Sequence, residues 1–444
     1  MRFSDFAKTD LRDFSIYACT RTIPSIIDGL KVPQRKALFG VLHHGGQTTV
    51  ARMSNHASEV TSFTHGEENM GDTMVNMGKD YAGSNNMPLI QKAGQYGTRL
   101  DNEPSAHRYI KASIHKKNYD LLFSKDDEPL LQRLFQEEQW VEPMYYLPCL
   151  PLCLINGASG IGVGYGTNIL QHSVTDVLRA VREVIAGGKV KTPLIPHLEG
   201  YKGRITRALG TDQIEIRGEI EVVDRTTLRI TEVPPKWDRK KYRAQLNNLM
   251  KKEFAPGHMW VRSYTNNSKD DKGWDIVVKV PMAVTQLGND ALLEAFKLIE
   301  RNTQNVVLWD VNGSIKSYPN VEAVVEEFVP FRIAKYAERK ISMLKILRAD
   351  MAWNDLKVRF IQYWNDHSQT LVKLPRAGWL KELTDNLSCT QAEADKLLEM
   401  NISSLTKERL ESLVKANEKM YGSIQELEQT APAQIWVNDL KQFK

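Results

Sequence analysis

Cysteine is scarce in this chain. The sequence has four cysteines in 444 residues, and they are scattered without the partners that a zinc site needs. They are Cys19, Cys149, Cys153 and Cys389. We expect reduced, buried, structural thiols in a protein of the cytoplasm, where disulfides are rare.

Long apolar segments are also lacking. The longest apolar run, residues 144–155, is too short to span a membrane and is interrupted by Pro148 and Pro151. Residues 1–14 mix both charge signs and have no apolar core, which argues against a secretory signal peptide. We therefore expect no membrane association.

The net charge is only +5, with 42% hydrophobic and 25% charged residues. These values are typical of a globular protein. The total charge does not indicate a nucleic-acid-binding protein, so any basic surface must come from local clustering.

Nucleotide and metal motifs are missing as well. The glycine segment GASGIGVGYG, residues 157–166, lacks the G-x-G-x-x-G spacing and the Lys-Ser/Thr of a phosphate-binding loop. We find no zinc-protease helix, EF-hand loop or Asp-x-Asp pair, and therefore expect no cofactor-binding and no metal-binding residues in this chain. The glycine segment fits a tight turn around Ile161, which is either buried or exposed as a wedge between base pairs.

The N-terminal third reads as helices and turns. Pro33 can occupy the first turn of one helix, and a second amphipathic stretch covers residues 67–81. In that stretch Met70, Met74 and Met77 fall on one side, which indicates core packing. Two helices around a turn at 64–66 are compatible with a helix-turn-helix or winged-helix unit.

In the rest of the chain, the spacing of the apolar residues changes twice. Alternating residues over 205–281, with a basic helix at 236–250, predict a separate α+β domain. Residues 331–374 contain no glycine or proline, which favours a long helical arm over an ordinary bundle. A helical stretch at 391–428 could return antiparallel to it, with a small tip between them.

The most informative segment is SAHRYIKAS, residues 105–113. It places Arg108 against Tyr109, with His107 before them and Lys111 after. Tyrosine is a poor nucleophile because its hydroxyl ionises near pKa about 10. A fixed cation and a nearby metal would stabilise both the phenolate and a phosphate under attack. Alone, the pair also fits a strand tyrosine beside a solvated arginine.

Other segments of the sequence favour the nucleophilic tyrosine over the strand tyrosine. They are RTIPSIIDGLKVPQRKALFG (21–40), FTHGE (63–67) with GSNNMPL and GQYGTR up to Arg99, and the glycine segment continuing into YGTNILQHS (165–173). Weaker matches are TEVPP (231–235), FVPFRIAKYAERK (328–340) and AEADKLLEMNISSLT (392–406). In this order, over about residues 15–430, they resemble the breakage-reunion subunit of type IIA DNA topoisomerases. The resemblance is to the A subunit of gyrase, to the corresponding half of eukaryotic topoisomerase II and, most closely, to the medium subunit of T-even-type phage topoisomerase.

The chain departs from the family pattern at several points. Pro33 comes one place late, and His65 stands alone where many relatives have two histidines. His107 replaces a small residue before Arg-Tyr, and its role is open. The sequence NILQHS at 168–173 favours the phage branch.

The resemblance implies roles for individual residues. Tyr109 aligns with the nucleophile that attacks a DNA phosphorus, releases a 3′-hydroxyl and holds a 5′-phosphotyrosyl link. Arg108, Arg35 and His65 align with residues around the scissile phosphate. Ile161 aligns with the residue that intercalates and bends the cleaved duplex.

Three further residues are expected to contact DNA. They are Lys31, Arg99 and Lys111. Contacts of this kind position a duplex and give little sequence selectivity.

The fold class that the resemblance implies is α+β and multidomain. It comprises an N-terminal arm (1–20), a winged-helix, CAP-like DNA-gate domain with the catalytic tyrosine (21–145) and an α/β tower domain (146–320). A long antiparallel coiled-coil arm with a helical exit-gate dimerisation tip follows (321–435, tip about 370–405).

The implied function is that of the DNA-cleaving and religating subunit of an ATP-dependent type II topoisomerase, for relaxation and decatenation of double-stranded DNA. The sequence shows no ATPase domain and no Toprim motif. Mg²⁺ and ATP are therefore expected on a partner ATPase/Toprim large subunit. We expect a homodimer through the exit gate, in the host cytoplasm if a phage encodes the chain.

Two alternatives belong to other classes. A non-catalytic architectural DNA-bending protein could keep the same fold, although an intact Arg108–Tyr109 pair and His65 argue against it. A nuclease acting as one chain would need a carboxylate cluster for its metal, which the sequence does not show.

Overall fold

A computed structural model describes residues 8–207, 213–400 and 407–443. The chain divides into two compact units, residues 1–332 with 439–444 and residues 333–438. The helices are Asp10–Thr22, Val32–His44, Val50–Val60, Glu67–Gly78, Lys116–Leu122, Leu152–Ile155, Val174–Ile185, Arg239–Leu249, Met282–Thr285, Asn289–Ala295, Val321–Leu371, Arg376–Leu387, Gln391–Leu398, Lys407–Gln429 and Pro432–Asp439, with 3₁₀ turns at Lys125–Leu130 and Leu440–Gln442. No helix among the described residues is long and apolar enough to cross a membrane.

The strands are short and pair antiparallel. They are Thr48–Thr49, Ile90–Ala93, Lys111–Ile114, Arg133–Gln136, Gln139–Pro143, Ala158–Ile161, Gly166–Ile169, Arg204–Arg207, Gln213–Arg217, Glu219–Asp224, Thr227–Glu232, Glu253–Ala255, His258–Met259, Ser263–Asn266, Ile276–Lys279, Ile299–Thr303, Val306–Trp309 and Ile315–Tyr318.

Helix Val32–His44 starts where the sequence predicts a turn. Gly29 has a left-handed φ of +68°, and a Cβ there would lie 2.3 Å from the backbone nitrogen of Cys153. Only glycine fits such a position. Pro33 then occupies the first turn of the helix, whose buried side includes Ala37, Leu38 and Val41.

The methionine stripe packs as predicted. Helix Glu67–Gly78 buries Met70, Met74 and Met77. Its glycine at position 71 is also buried. The helix that precedes residues 64–66 is Val50–Val60, which the sequence analysis did not predict, and the helix-turn-helix or winged-helix unit stays a prediction.

A three-stranded sheet lies beside these helices. Strand Lys111–Ile114 is central, with Thr48–Thr49 on one edge and Ile90–Ala93 on the other. In its register, Ala112 faces Thr48 across one pair and Lys92 across the other. The segment that contains Tyr109 thus leads directly into the middle of a sheet.

The alternating region forms strands, as its period predicts. These strands belong to the two-stranded sheet of Glu253–Ala255 with His258–Met259 and to two larger sheets. One has the strand order Glu219–Asp224, Thr227–Glu232, Ile276–Lys279, Ser263–Asn266. The other has the order Ile299–Thr303, Gln213–Arg217, Arg204–Arg207. The predicted basic helix is Arg239–Leu249, and it buries Tyr242, Leu246 and Leu249 against the first sheet's core.

The glycine segment forms a hairpin of Ala158–Ile161 with Gly166–Ile169, which we call the glycine hairpin. A Cβ at Gly160 would lie 2.0 Å from the carbonyl oxygen of Thr22, so the hairpin touches the end of helix Asp10–Thr22. Ile161 is 88% exposed at the hairpin's end. This exposure excludes the interpretation of Ile161 as a buried residue.

The second unit consists of helices. Its part of helix Val321–Leu371 pairs with helix Lys407–Gln429: Lys340 donates to the carbonyl of Glu428 at 2.8 Å, and Asn417 donates to Asp355 at 2.5 Å. These pairs make the two helices antiparallel. The predicted return at 391–428 is therefore two helices, Gln391–Leu398 and Lys407–Gln429, and residues 401–406 lie outside the described residues.

Between these helices, Arg376–Leu387 and Gln391–Leu398 build a small apolar cluster. Its buried members are Leu356, Phe360, Leu383, Leu387, Ala394 and Leu397. Helix Val321–Leu371 includes Pro330, so it begins earlier than the glycine- and proline-free stretch suggests.

The cysteines are free thiols, and three of them are buried. Burial raises the pKa of Cys149 and Cys153 to about 12, so neither is a reactive thiolate at neutral pH. Cys389 is only partly buried, which corrects the expectation for that residue.

The predicted boundaries at 20/21, 145/146 and 320/321 stay predictions. Residues 1–7 of the N-terminal arm lie outside the described residues.

His172, in the NILQHS segment, is fully buried, and burial lowers its pKa from 6.5 to about 4. The folded state therefore favours neutral His172, and its contribution to stability, present above pH 6.5, is lost as pH falls towards 4. The shift corresponds to about 3 kcal/mol of unfolding free energy.

We predict that the free energy of unfolding of His172→Gln, measured in urea, falls less steeply over this pH range than that of the wild type. A variant at exposed His197 should keep the wild-type pH dependence.

Gly160 and Gly166 offer a matched pair on the glycine hairpin. Gly160→Ala should lower the free energy of unfolding by roughly 1–3 kcal/mol, because its Cβ meets backbone that cannot move alone. Gly166→Ala should have little effect, since its nearest atom is 3.8 Å away. Equal effects of the two substitutions in urea unfolding would contradict the close approach at Thr22.

Candidate active site

Tyr109 lies at the end of a tight turn. Its backbone amide donates to the carbonyl of Ala106 at 2.9 Å. We call residues 106–109 the tyrosine turn. The Tyr109 side chain is 69% exposed, and the Arg108 guanidinium carbon lies 4.7 Å from the centre of its ring. The hydroxyl is therefore accessible to a large substrate, with a permanent cation beside it.

The tyrosine turn is fixed to the first turn of helix Val50–Val60. The amide of Val50 donates to the carbonyl of Ile110 at 2.9 Å, and that of Ala51 donates to the carbonyl of His107 at 3.2 Å. Amides at a helix N-terminus have no acceptors inside the helix. Here the segment around Tyr109 supplies them, so the two residues that flank Arg108 and Tyr109 are held.

Ile110 and Lys111 hold the other side of the turn. Ile110 is buried, and Lys111 begins the central strand with its side chain exposed. The hydroxyl of Tyr96 donates to the carbonyl of Lys111 at 2.9 Å. Lys111 is thus placed two residues after Tyr109 on rigid backbone.

Arg35 projects from helix Val32–His44 and is oriented by a buried carboxylate. Its Nε and Nη2 donate to the two oxygens of Asp28 at 2.6 and 3.2 Å, and Nη2 also donates to the carbonyl of Leu30 at 2.9 Å. Asp28 is fully buried and further accepts from the amide of Tyr146. Bidentate pairing of this kind fixes the plane of the guanidinium.

His65 is held by a residue of helix Asp10–Thr22, a helix that the motifs did not identify. The hydroxyl of Tyr17 hydrogen-bonds to Nε2 of His65, and the ring of Phe63 packs edge-on at 5.4 Å. Burial, followed by the charge of Arg21, lowers the pKa of His65. His65 is therefore neutral at pH 7, where it can donate or accept a proton.

Lys31 connects two parts of the site. Lys31 is the N-cap residue of helix Val32–His44, and its Nζ donates to the carbonyl of Ser159 in the glycine hairpin at 2.5 Å. Burial lowers the pKa of the Lys31 ammonium. Lys31 thus lies between the helix that carries Arg35 and the hairpin that carries Ile161.

Arg99 lies in a different environment. Its nitrogens donate to the carbonyls of Trp237 at 2.7 Å and Val233 at 2.6 Å, and the pairing with Glu232 is at 3.6 Å. Burial lowers the pKa of its guanidinium. These contacts favour a structural role that joins residues 99 and 232–237, and not the phosphate contact that the resemblance implies.

A groove of about 930 Å³ borders this region. Lys31 lines it, together with three residues to which the sequence analysis assigned no role: Tyr17, Arg21 and Lys79. Arg21 is the first residue of the 21–40 motif, which was the available signal for it. Tyr17 gave no signal, because its contact with His65 spans 48 residues of sequence.

Direct contacts join Arg108 to Tyr109 and Lys31 to the glycine hairpin, while those of Arg35 and His65 are with Asp28 and Tyr17. Within residues 8–207, 213–400 and 407–443, no group of three or more His, Cys, Asp or Glu side chains could hold a metal ion. The arrangement offers an exposed nucleophile and oriented cations.

Comparisons with known proteins identify the family of this chain. A family model for the A subunit of DNA gyrase/topoisomerase IV matches residues 21–441. DNA topoisomerase 2 of Arabidopsis thaliana is 30% identical over 99% of this chain and 33% of its own length. Human DNA topoisomerase 2-beta is 30% identical over 100% of this chain and 30% of its own length. The chain spans about a third of the length of these relatives.

A solved structure supports the fold. The crystal structure of the Plasmodium falciparum topoisomerase II DNA-binding, cleavage and re-ligation domain matches with a TM-score of 0.89 and 27% identity, over 100% of this chain and 64% of that one. The mixed α+β class is thereby confirmed, as is the type IIA resemblance. Particular closeness to the phage medium subunit stays a prediction. From its motifs, its fold and the match over residues 21–441, this chain belongs to the DNA gyrase/topoisomerase IV A-subunit family of type IIA topoisomerases.

Proposed function

We propose that this chain is the DNA-cleaving and religating subunit of an ATP-dependent type II DNA topoisomerase. The observation that supports this most directly is the exposed Arg108–Tyr109 pair on a turn fixed by helix amides. A nucleophile for a duplex must be accessible and yet rigidly placed. The tyrosine turn meets both conditions.

The proposed chemistry is a reversible transesterification. The Tyr109 oxygen attacks a DNA phosphorus, an O–P bond to tyrosine forms and the bond from phosphorus to the 3′-oxygen breaks. A proton passes to that leaving oxygen, which becomes a 3′-hydroxyl, and the 5′-phosphate stays on the tyrosine. The covalent link retains the bond energy, so the reverse attack reseals the strand without a cofactor.

Charge stabilisation comes from the residues around the phosphate. Arg108 and Arg35 would contact the non-bridging oxygens, and neutral His65 would hydrogen-bond to them or relay a proton. The orientation of Arg35 by Asp28 supports this role, because a preoriented cation needs no rearrangement during reaction.

Mg²⁺ and ATP are proposed to lie on an ATPase/Toprim partner polypeptide. The described side chains of this chain do not fit a metal site. A bound magnesium ion would neutralise charge on the phosphate. The attack, the proton transfer and the charge stabilisation proposed for this chain use only its own residues.

Contacts to double-stranded DNA would come from both sides of the tyrosine. We propose that Ile161 enters between base pairs and bends the duplex, while Lys31 and Lys111 face its backbone. The exposure of Ile161 at the end of a short hairpin supports the wedge.

For the architecture, we propose a winged-helix domain with the catalytic tyrosine, a tower domain and a coiled-coil arm ending in an exit gate. The gate would make a homodimer, so two-fold symmetry places two Tyr109 residues across one duplex. We also propose relaxation and decatenation as the net reactions and the cytoplasm as the location. The nearest functional counterpart would be the medium subunit of a T-even-type phage topoisomerase, which NILQHS favours.

Tyr109→Phe tests the nucleophile. The chain is mixed with supercoiled DNA, Mg²⁺, ATP and the ATPase/Toprim polypeptide of the same organism, and the reaction is stopped with detergent. We expect covalent protein–DNA adducts with the wild type and none with Tyr109→Phe, because the phenolic oxygen forms the bond. Tyr421→Phe, at another exposed tyrosine, should retain them.

Adducts that persist in Tyr109→Phe would overturn the assignment. DNA bending without adducts from the wild type would favour the architectural protein, and magnesium-dependent cutting by the chain alone would favour a nuclease.

Ile161→Ala tests the wedge. We expect a smaller bend angle in a ring-closure assay and about tenfold fewer adducts, which corresponds to roughly 1.4 kcal/mol of lost contact. The fold should be intact because Ile161 is exposed. Val163→Ala, a nearby exposed position, should bend DNA like the wild type. Unchanged bending in Ile161→Ala would count against the wedge.

A further inference from the structure

His107 is the residue whose role the family resemblance leaves open. It lies in the tyrosine turn, two residues before Tyr109, and its side chain is only 19% exposed. Its neighbour Arg108 is exposed, as is Tyr109. Within this turn, the His107 ring points towards the protein and the reactive pair points away from it.

The ring of His107 is seated on a glycine. A Cβ added at Gly71 would lie 2.5 Å from Nδ1 and 2.6 Å from Cε1 of His107. Gly71 is buried inside helix Glu67–Gly78, where glycine is less favourable than alanine by roughly 0.5–1 kcal/mol. The seat for the imidazole gives a physical reason for glycine at this position.

The other ring nitrogen of His107 meets a carboxylate. Nε2 of His107 lies 3.1 Å from Oδ1 of Asp72, the residue after Gly71. Asp72 is 63% exposed, so the pair adds little stability by itself. Its effect is directional, because it fixes the rotation of a ring that already rests on Gly71.

The backbone of His107 is held by a second helix. Its carbonyl accepts from the amide of Ala51 at 3.2 Å, in the first turn of helix Val50–Val60. The side chain and the carbonyl of His107 thus attach this residue to two helices. On the other side of Tyr109, the carbonyl of Ile110 is attached to the amide of Val50. Arg108 and Tyr109 lie between these two attachments.

We propose that His107 is a positioning residue for Tyr109, acting through its seat on Gly71 and its contact with Asp72. The inference rests on the proposed cleavage reaction and deepens it. Without the seat, the turn is attached by its carbonyls alone and the phenolic oxygen samples other directions. Displacement of a reacting atom by about 1 Å can lower a rate by about 100-fold.

The test combines His107→Ala, Gly71→Ala and the double variant. Each single substitution should lower the rate of adduct formation by about ten- to 100-fold, with the dissociation constant for DNA within about twofold of wild type. The double variant should be no slower than His107→Ala, because the methyl at position 71 then meets no ring. Gly422→Ala, in a helix with open space around it, is the matched control.

A second readout needs no catalysis. Hydrogen exchange at the Ala51 amide reports its bond to the tyrosine turn. We expect faster exchange at Ala51 in His107→Ala and in Gly71→Ala, with unchanged exchange at Met74 inside helix Glu67–Gly78.

Wild-type adduct rates or unchanged Ala51 exchange in His107→Ala would overturn the positioning role. Fully additive effects in the double variant would overturn the seat on Gly71. Loss of adducts in the wild type itself, or their survival in Tyr109→Phe, would instead overturn the proposed function, and the exchange result would still decide whether His107 holds the turn.

Discussion

The site depends on one structural solution: the first amides of helix Val50–Val60 are satisfied by the segment that carries Tyr109. A helix start normally needs a side-chain cap or water for these donors. Here Thr49 accepts from Arg52, and the carbonyls of His107 and Ile110 take the other two. The same hydrogen bonds that complete the helix therefore fix the segment that carries Tyr109. Any movement of the tyrosine turn would expose donors at the helix N-terminus, which couples the geometry of the site to the stability of the fold.

A buried carboxylate sets the direction of the Arg35 side chain. Asp28 is enclosed and accepts hydrogen bonds from Arg35, from the amide of Leu30 and from the amide of Tyr146. Neither its carboxylate nor the Arg35 guanidinium can therefore turn freely. Removing one member of such a pair leaves an uncompensated buried charge, whereas the intact pair stabilises little. Its effect in this site is orientation. For the cleavage reaction proposed above, a guanidinium that is already oriented is a cation that needs no rearrangement when the substrate binds.

Local sequence signals predicted much of this molecule, and contacts distant in sequence explain what they missed. Alternation predicted strands such as Gln213–Arg217 and Thr227–Glu232, since side-chain period is a property of a few adjacent residues. The environment of Arg99 depends on carbonyls more than 130 residues away, and nothing near Arg99 announces them. Gly71 is an intermediate case. A glycine within a helix pattern signals close approach of some group, but only the fold shows that the group is His107.

Lys31 connects the helix that carries Arg35 to the hairpin that carries Ile161. It ends the segment before helix Val32–His44, whose second turn begins near Arg35, and its ammonium rests on Ser159, two residues from Ile161. Gly160 brings the same hairpin against Thr22, so the hairpin is held on two sides and cannot rotate independently. If Ile161 enters between base pairs as proposed, the hairpin that carries it is connected through Lys31 to the start of helix Val32–His44. The approach of Gly160 to Thr22 adds a second point at which the hairpin is held.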